Sequence, residues 1–356
     1  MRAFVTGGIG FIGAELLRQL RARGDEVVAV IRHAGRGDRL HELGCELVED
    51  DLATMPQAAL TYAMRGSDGV FHLAGRYRIG IRATEHLAMY AANVVATQRV
   101  LDVAMAVGTP RITCISTVNA YGNTKGRVVD ETYRREQPPR FLSYYDQTKY
   151  LAHLEAEDRI AAGAPISIAL PAQVYGPHDP SQFGGTIAQA LAGTLPAITF
   201  PDLGLNVVHV EDLAAGILLI HDRGRIGEQY ILGGENTTVR EMVQRAAAAA
   251  GRRPPRLRIP TVLLRGIAPL GGLIGPAMGV APNLAEVIGA ADDVTYWATD
   301  AKARRELGYQ TRDLDAGLRT LLRSRSNGDG PAGMLAPGSV GSPEGTDAGA
   351  AGASEK

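Results

Sequence analysis

The residues best suited to chemistry are Tyr145 and Lys149, four positions apart, with Thr117 upstream of them. A spacing of i,i+4 puts both side chains on one face of a helix. A phenol with a pKa near ~10 is a poor acid or base at neutral pH, and an adjacent ammonium favours its phenolate. Thr117 follows the apolar run Arg111 to Ser116, so its hydroxyl stands at a strand end, placed to hydrogen-bond a reacting oxygen. Together the three groups can move a proton at a carbinol oxygen while a nicotinamide takes or gives hydride. Tyr144 also begins a four-residue step, to Thr148, but only Tyr145 has lysine at that spacing. The competing reading is an ordinary surface pair. Lys125, Lys149, Lys302 and Lys356 are the only lysines, so one in a motif position is less easily an accident.

Such a trio needs elements that bring a dinucleotide to it. Arg2 to Thr6 is a short strand-forming run that stops at Gly7-Gly8. Ile9-Gly10-Phe11-Ile12-Gly13 then leads into Ala14 to Leu20, which has helical apolar spacing. A strand, a glycine turn and a helix N-terminus present free N–H groups and a positive dipole end to an anion. Gly7, Gly10 and Gly13 would serve a tight turn, close approach of a diphosphate and close helix packing, with Phe11 and Ile12 beside them. In a chain with 43 glycines the motif alone is weak; its flanks give it weight.

Further strands are expected at Glu26–Ile31, Cys45–Glu49, Gly69–Gly75 and Arg111–Ser116. The second ends at Arg32, followed by His33, Arg36 and Arg39, where an acidic residue would favour NAD. Arginine suits a 2′-phosphate, which favours NADP and leaves NAD as the alternative; the competing reading is a solvated basic loop. Asp51, before Leu52, is placed either to reach the adenine amino group or to cap the next helix. Leu73, Ala74 and Gly75 run out beside the expected cofactor, and His72 reads as a packed strand histidine with no chemical role. A long helical pattern spans Glu85–Val107 and contains Asn93. Strands alternating with helices predict an α/β, doubly wound parallel sheet, the Rossmann arrangement.

Apolar residues make up 45% of the chain and charged residues 21%, as in ordinary globular proteins. The net charge of −1 offers no footprint for nucleic acid. Cys45 and Cys114 lack metal-ligand spacing and read as small core residues in a reducing compartment, so no metal is expected. The first residues already form a core strand and lack the regions of a signal peptide, which predicts a cytoplasmic location. Residues Gly266 to Ala285 carry no charge, yet Pro269, Pro276 and Pro282 argue against a spanning helix. No stable membrane insertion is expected, although a membrane-surface element remains a minority reading.

Taken in order, these motifs resemble those of the extended short-chain dehydrogenase/reductase family, also called the NAD-dependent epimerase/dehydratase family. The matching pieces are Thr6 to Gly13, Asp51-Leu52, His72 to Gly75, Asn93, Ser116-Thr117 before Tyr121-Gly122, and Tyr145 with Lys149. Pro171 to Pro177, Val208 to Ala214 and Arg305 to Tyr309 are also similar to family signatures, so the likeness spans about residues 1 to 323. The resemblance implies that Tyr145 is the acid/base and that Lys149 holds the nicotinamide ribose and lowers the tyrosine pKa. It implies that Thr117 anchors the substrate oxygen. Asn93 and Pro171 join the cofactor residues, and Arg76, Asn119 and Gln173 join Thr117 on the substrate side. A homodimer through helices Glu85–Val107 and Ser143–Ala162 is also implied.

Departures from the family pattern narrow the reaction. Sugar-nucleotide 4,6-dehydratases carry Asp-Glu after the catalytic hydroxyl residue; here Val118-Asn119 stands instead. Many nucleotide-sugar epimerases carry Asn at the position of Gln173, and an Arg-Asp pair where this chain has Leu205-Asn206. Losing that arginine removes a cation from a substrate diphosphate. Arg76, Arg78 and Arg82 could compensate, or could form a solvated loop. A Gly/Pro-rich, apolar lobe over Ile259–Ala291 suits an apolar pocket, as in members similar to dihydroflavonol reductases and hydroxysteroid dehydrogenases. The expectation is therefore an NAD(P)-dependent oxidoreductase acting on a secondary alcohol or ketone of a small, partly apolar molecule. A nucleotide-sugar 4-epimerase with tightly held NAD is the alternative, and a non-catalytic dinucleotide-binding regulator a second. Residues 1–175 are expected to form mainly the dinucleotide-binding domain, and 176–323 a substrate lobe interleaved with returning strands. Residues 324–356, rich in Gly, Ala, Ser and Pro, read as a disordered tail.

Overall fold

A computed structural model of the chain describes residues 1–32, 37–270 and 281–326. Seven parallel strands form the main sheet in the order β3-β2-β1-β4-β5-β6-β9. They are β1 (Arg2–Thr6), β2 (Glu26–Ile31), β3 (Glu46–Glu49), β4 (Gly69–His72), β5 (Ile112–Ile115), β6 (Ile166–Pro171) and β9 (Gln229–Leu232). The order reverses between β1 and β4, which creates a crevice at their carboxyl ends. Helices cover both faces, so the central strands are buried on both sides and read as continuous apolar runs. Ala3, Phe4, Val5 and Thr6 have no exposed surface.

A second sheet builds the other side of the crevice. Its centre is β8 (Gly204–His209), with β10 (Glu235–Thr238) antiparallel on one edge. On the other edge β11 (Thr295–Tyr296) and β7 (Gln173–Tyr175) pair with successive parts of β8, both parallel. The helix Val239–Ala249 starts at a capping box of Thr238 and Glu241. The last helix, Leu314–Ser326, runs past the expected start of the tail, so Ser324 to Ser326 are helical. The rest of that expected tail, and His33 and Arg36, lie outside the described residues.

The expected helix Glu85–Val107 is not uniform. A 3₁₀ turn (Ala83–Glu85) leads to an α-helical turn (His86–Tyr90), a π-helical turn (Ala91–Val95) and a regular helix (Ala96–Ala106). The π turn re-aims Asn93 toward the loop after β4, a common use of such bulges. Its amide donates to the Arg76 carbonyl at 3.2 Å and to Thr148 Oγ1 at 2.8 Å, and accepts from the Arg76 N–H at 2.6 Å. The Asn93 side chain thereby ties this helix to the loop after β4 and to the helix that carries Thr148.

A buried hydrogen-bond chain joins β1, β4 and this helix. The Thr97 hydroxyl donates to the Asn93 carbonyl at 2.7 Å, so its oxygen must accept from His72 Nε2–H at 2.9 Å. His72 Nδ1 is then bare and accepts from the Thr6 hydroxyl at 2.8 Å, whose oxygen accepts the Ala74 N–H at 3.1 Å. Burial and the nearby Lys149 charge push the His72 pKa down to about 3, which keeps the ring neutral. Its role as a packed strand residue follows. Thr6→Val should destabilise the protein by about 1–3 kcal/mol by leaving two buried groups unpaired, whereas Thr6→Ser should cost much less. Urea titration tests this: the midpoint should fall with an unchanged slope, and equal midpoints for both variants would refute it.

Candidate active site

The glycine turn at the carboxyl end of β1 is built for close approach. Gly7 has φ +76°, and a Cβ there would lie 2.8 Å from the Ala74 nitrogen. A Cβ on Gly13 would strike the Gly7 carbonyl, so only glycine lets the first helix, Phe11–Ala22, pack this near the turn. Gly10 is extended and no side chain caps that helix; its first turn, which includes Ile12, holds no acidic residue. The N–H groups of the helix start are therefore left for an external anion, and the cradle fits a dinucleotide diphosphate.

Around it, Leu73 and Ala74 are half-buried, Gly75 is exposed, and Pro171 closes β6. Arg32 is exposed directly after β2 and takes part in no ion pair among the described residues. Leu52 is buried. Asp51 caps no helix: its carboxylate accepts the Ala53 N–H at 2.9 Å in a tight turn, and the next helix begins only at Gln57, after Pro56.

Tyr145 and Lys149 lie on the helix Tyr144–Ala161, capped by Ser143, whose hydroxyl accepts the Asp146 N–H at 3.0 Å. Tyr145 is only 8% exposed and packs with Ile81 and Met89 in an apolar cluster separate from the main core, flanked by Ile79. Tyr77 meets its ring edge-on, with centroids 4.8 Å apart. Lys149 Nζ donates to the Ile115 carbonyl at the end of β5, at 3.2 Å. Thr117 follows β5 in extended conformation and caps a 3₁₀ turn, Val118–Tyr121, its oxygen accepting the N–H of half-buried Asn119 at 3.3 Å.

One electrostatic expectation is overturned. Burial holds the Tyr145 phenol above the usual tyrosine range, and Tyr77 and Asp146 push the same way, with no offsetting effect of Lys149. Burial also lowers the Lys149 pKa. The spacing put the pair on one face, but desolvation shifts both groups toward their neutral forms, and the ammonium is tied to a backbone carbonyl.

The substrate-side expectations divide. Arg76 is ion-paired with Glu85 at 2.7 Å, and Arg78 reaches the same carboxylate at 3.5 Å, so Arg76 is not a free anchor for a diphosphate. Glu85 also accepts the Arg82 N–H at 3.2 Å, which folds the loop on itself. Gln173 opens β7 opposite Val207. Leu205 is buried, and Asn206 is locked inside, donating to Asn236 Oδ1 at 2.9 Å and to the Ala298 carbonyl at 3.0 Å.

Three contributors escape sequence reasoning. Arg135 makes a buried, two-pronged pair with Asp146 at 2.5 and 2.6 Å and donates to the Arg140 carbonyl at 2.6 Å, fixing the helix start beside Tyr145. Glu286, on the short helix Leu284–Gly289, accepts the Gly80 N–H at 3.1 Å and the Tyr144 N–H, clamping the loop after β4 to the Tyr145 helix. Tyr77 covers Tyr145 from that same loop. An acidic residue in a first helical turn hints at Asp146; nothing local points to the other two.

A parallel sheet with this glycine cradle and a tyrosine–lysine helix beside β5 defines a nicotinamide-dinucleotide enzyme of the extended short-chain dehydrogenase/reductase type. The chain belongs to the NAD dependent epimerase/dehydratase family, whose model matches residues 3–233. A Synechocystis sp. protein named "Putative dihydroflavonol 4-reductase" is 33% identical over 324 residues, covering 88% of this chain and 92% of that protein. Sterol demethylase protein B of Methylococcus capsulatus is 31% identical, covering 75% of this chain and 80% of its own. The crystal structure of gox2253 superposes with a TM-score of 0.77 at 30% identity, covering 92% of this chain and 98% of that one. Other relatives bear the names of ketoreductases and dTDP-glucose 4,6-dehydratases.

Lys149 carries a stability cost with a defined sign. Its lowered pKa means the ammonium weakens the fold; the cost is full below that lowered value and fades as pH rises toward ~10.4, the value in unfolded chains. Lys149→Met should therefore raise the melting temperature at pH 7, with the gain shrinking toward pH 10. Thermal denaturation at both pH values checks this, and a loss of stability at pH 7 would contradict it.

Proposed function

We propose that the protein is an NADP-preferring oxidoreductase that transfers hydride to or from a secondary alcohol or ketone of a small, partly apolar molecule. The observation that carries this reading is the apolar enclosure of Tyr145 by Ile79, Ile81, Met89 and the Tyr77 ring. Among the described residues, Arg76, a cation that a sugar diphosphate could use, is paired with Glu85, and Leu205 is a core residue. Two relatives named for a dihydroflavonol and a sterol support the same substrate character.

A bound nicotinamide dinucleotide supplies or accepts the hydride at the substrate carbon. In the reducing direction the Tyr145 phenol gives its proton to the new alkoxide oxygen, and in oxidation it takes the proton back. Burial keeps that phenol protonated across the physiological range, which suits it as the acid for reduction. Thr117 holds its acceptor lone pairs toward the Asn119 N–H and keeps its own O–H to donate to the substrate oxygen. Lys149, whose Nζ bonds the last carbonyl of β5, would hold the nicotinamide ribose, and a ribose hydroxyl would relieve its poorly paired ammonium. Gln173 and Asn119 border the substrate, and Arg32, exposed beyond β2, would bind the 2′-phosphate. Homodimerisation through the two long helices is supported by Leu87, 83% exposed on the first of them.

Tyr145→Phe should lower kcat by roughly 10²–10⁴ in a ketone-reduction assay followed by cofactor absorbance, with NADPH affinity retained. Unchanged turnover would remove Tyr145 from the chemistry. Arg32→Ala should weaken NADPH binding about ten- to a hundredfold, the worth of a charge-assisted hydrogen bond, while leaving NADH binding nearly unaltered. Equal losses for both cofactors in fluorescence titrations would refute the 2′-phosphate role. Purified protein that retains NAD and interconverts UDP-hexoses without net cofactor turnover would replace this reading with a 4-epimerase.

A further inference from the structure

Away from the crevice, one surface combines exposed apolar side chains with uncompensated positive charge. From Met242 to Leu270 the chain contains no acidic residue and six arginines. Arg245 pairs with Glu235 and Asp315, and Arg265 pairs with Asp292. The remaining four, Arg252, Arg253, Arg256 and Arg258, are exposed, and among the described residues no carboxylate comes within ion-pair distance of them. Arg253, Arg256 and Arg258 line an open cleft of about 390 Å³ with Arg240 and Gln244.

Next to that cleft lies the helix Thr261–Ile267, none of whose residues is buried. At about 100° per residue, Val262, Gly266, Leu263 and Ile267 fall in sequence along one arc of roughly 140°. All four are exposed: Val262 by 71%, Leu263 by 60% and Ile267 by 39%, and Leu257 beside the arginines by 63%. Among the described residues the helix is held from its other side, where Thr261 and Arg265 bond Asp292 at 2.8 and 2.6 Å. A continuous apolar arc on an exposed helix, next to four guanidinium groups, is a surface that no described residue partners, and it has a definite chemistry.

We propose that this surface docks the protein on an anionic phospholipid bilayer. The guanidinium groups would engage lipid phosphates, and Val262, Leu263, Ile267 and Leu257 would enter the headgroup–acyl boundary. Charge complementarity selects this occupant. A second copy meeting the same patch across a two-fold axis would set arginine against arginine. A nucleic acid would satisfy the arginines but leave the apolar arc in water. The mode of contact is peripheral, because no helix among the described residues is long and apolar enough to cross a membrane. The surface is also linked to the crevice: Asp292 lies just beyond the helix Leu284–Gly289, whose Glu286 holds the loop over Tyr145. The docking inference does not depend on which substrate is used.

Sedimentation of the full chain with vesicles of phosphatidylglycerol and phosphatidylcholine tests the proposal, with pure phosphatidylcholine as the neutral reference. Binding should appear on the anionic vesicles, fall with added salt and be at least tenfold weaker on the neutral ones. Arg253→Gln with Arg256→Gln should weaken it about thirtyfold, since each basic residue contributes at the surface. Val262→Asp with Leu263→Asp should abolish it while dinucleotide binding and circular dichroism stay as in the unaltered protein. Absence of binding to anionic vesicles would overturn the proposal, as would binding that both variants retain. It would equally fall if the aspartate variant dissociated a solution dimer.

Discussion

The hydrogen bond from the Thr6 hydroxyl to His72 Nδ1 is the constraint on which the crevice rests. It ties the last residue of β1 to the last residue of β4, the two parallel strands between which the strand order reverses. Because Thr6 also accepts the Ala74 N–H, the chain leaving β4 is drawn against the glycine turn leaving β1. There is then no room for a Cβ on Gly7, whose closest neighbour would be that same Ala74 nitrogen at 2.8 Å. Through Thr97 the chain continues to the Asn93 carbonyl, and the Asn93 side chain carries the tie on to Arg76 and Thr148. One neutral histidine thus sets the distance between the diphosphate cradle and the helix of Tyr145 and Lys149.

Much of this was legible in the sequence because the relevant signals are local. The central parallel strands are short runs buried on both faces, and the glycine spacing and the Tyr145–Lys149 step each lie within one turn or one helix. What escaped has no local signal. Arg135 and Asp146 are separated by 11 residues that cross an irregular loop, and Glu286 finds Tyr144 and Gly80 from 142 and 206 positions away. Arg76 and Arg78 looked free because their neutraliser, Glu85, lies at the end of a helix start rather than at helical spacing from them. Periodicity told which face Tyr145 shares with Lys149. It did not tell how deeply that face is buried, and depth decides the sign of the phenol's shift.

Depth also explains why the site is arranged as it is. A half-buried ammonium held by one carbonyl and a phenol pushed upward by desolvation are both poor choices for stability. They are tolerable in a scaffold whose neighbouring charges are fully paired: Arg135 with Asp146 on one side and the Glu85 cluster on the other. Groups left short of partners inside an otherwise satisfied frame are where a ligand gains most from binding. A ribose hydroxyl at Lys149 and a substrate oxygen at Tyr145 and Thr117 would each restore an interaction the folded chain lacks.

The same reasoning assigns a role to the clamp at Glu286. Its carboxylate accepts from Gly80, in the loop carrying Tyr77 and Ile79, and from the backbone of Tyr144, one residue before the acid/base proposed for the site. The Gly80 carbonyl accepts the Asn283 N–H at 3.0 Å in return, and a Cβ at Gly80 would sit 2.7 Å from Val287 Cγ2. Loop, helix start and substrate-side helix therefore move as one body or not at all. Opening the apolar cover over Tyr145 requires breaking bonds to a carboxylate, each stronger than a neutral hydrogen bond. Access to the phenol is consequently governed from the second half of the chain, although every group proposed for proton transfer lies in the first.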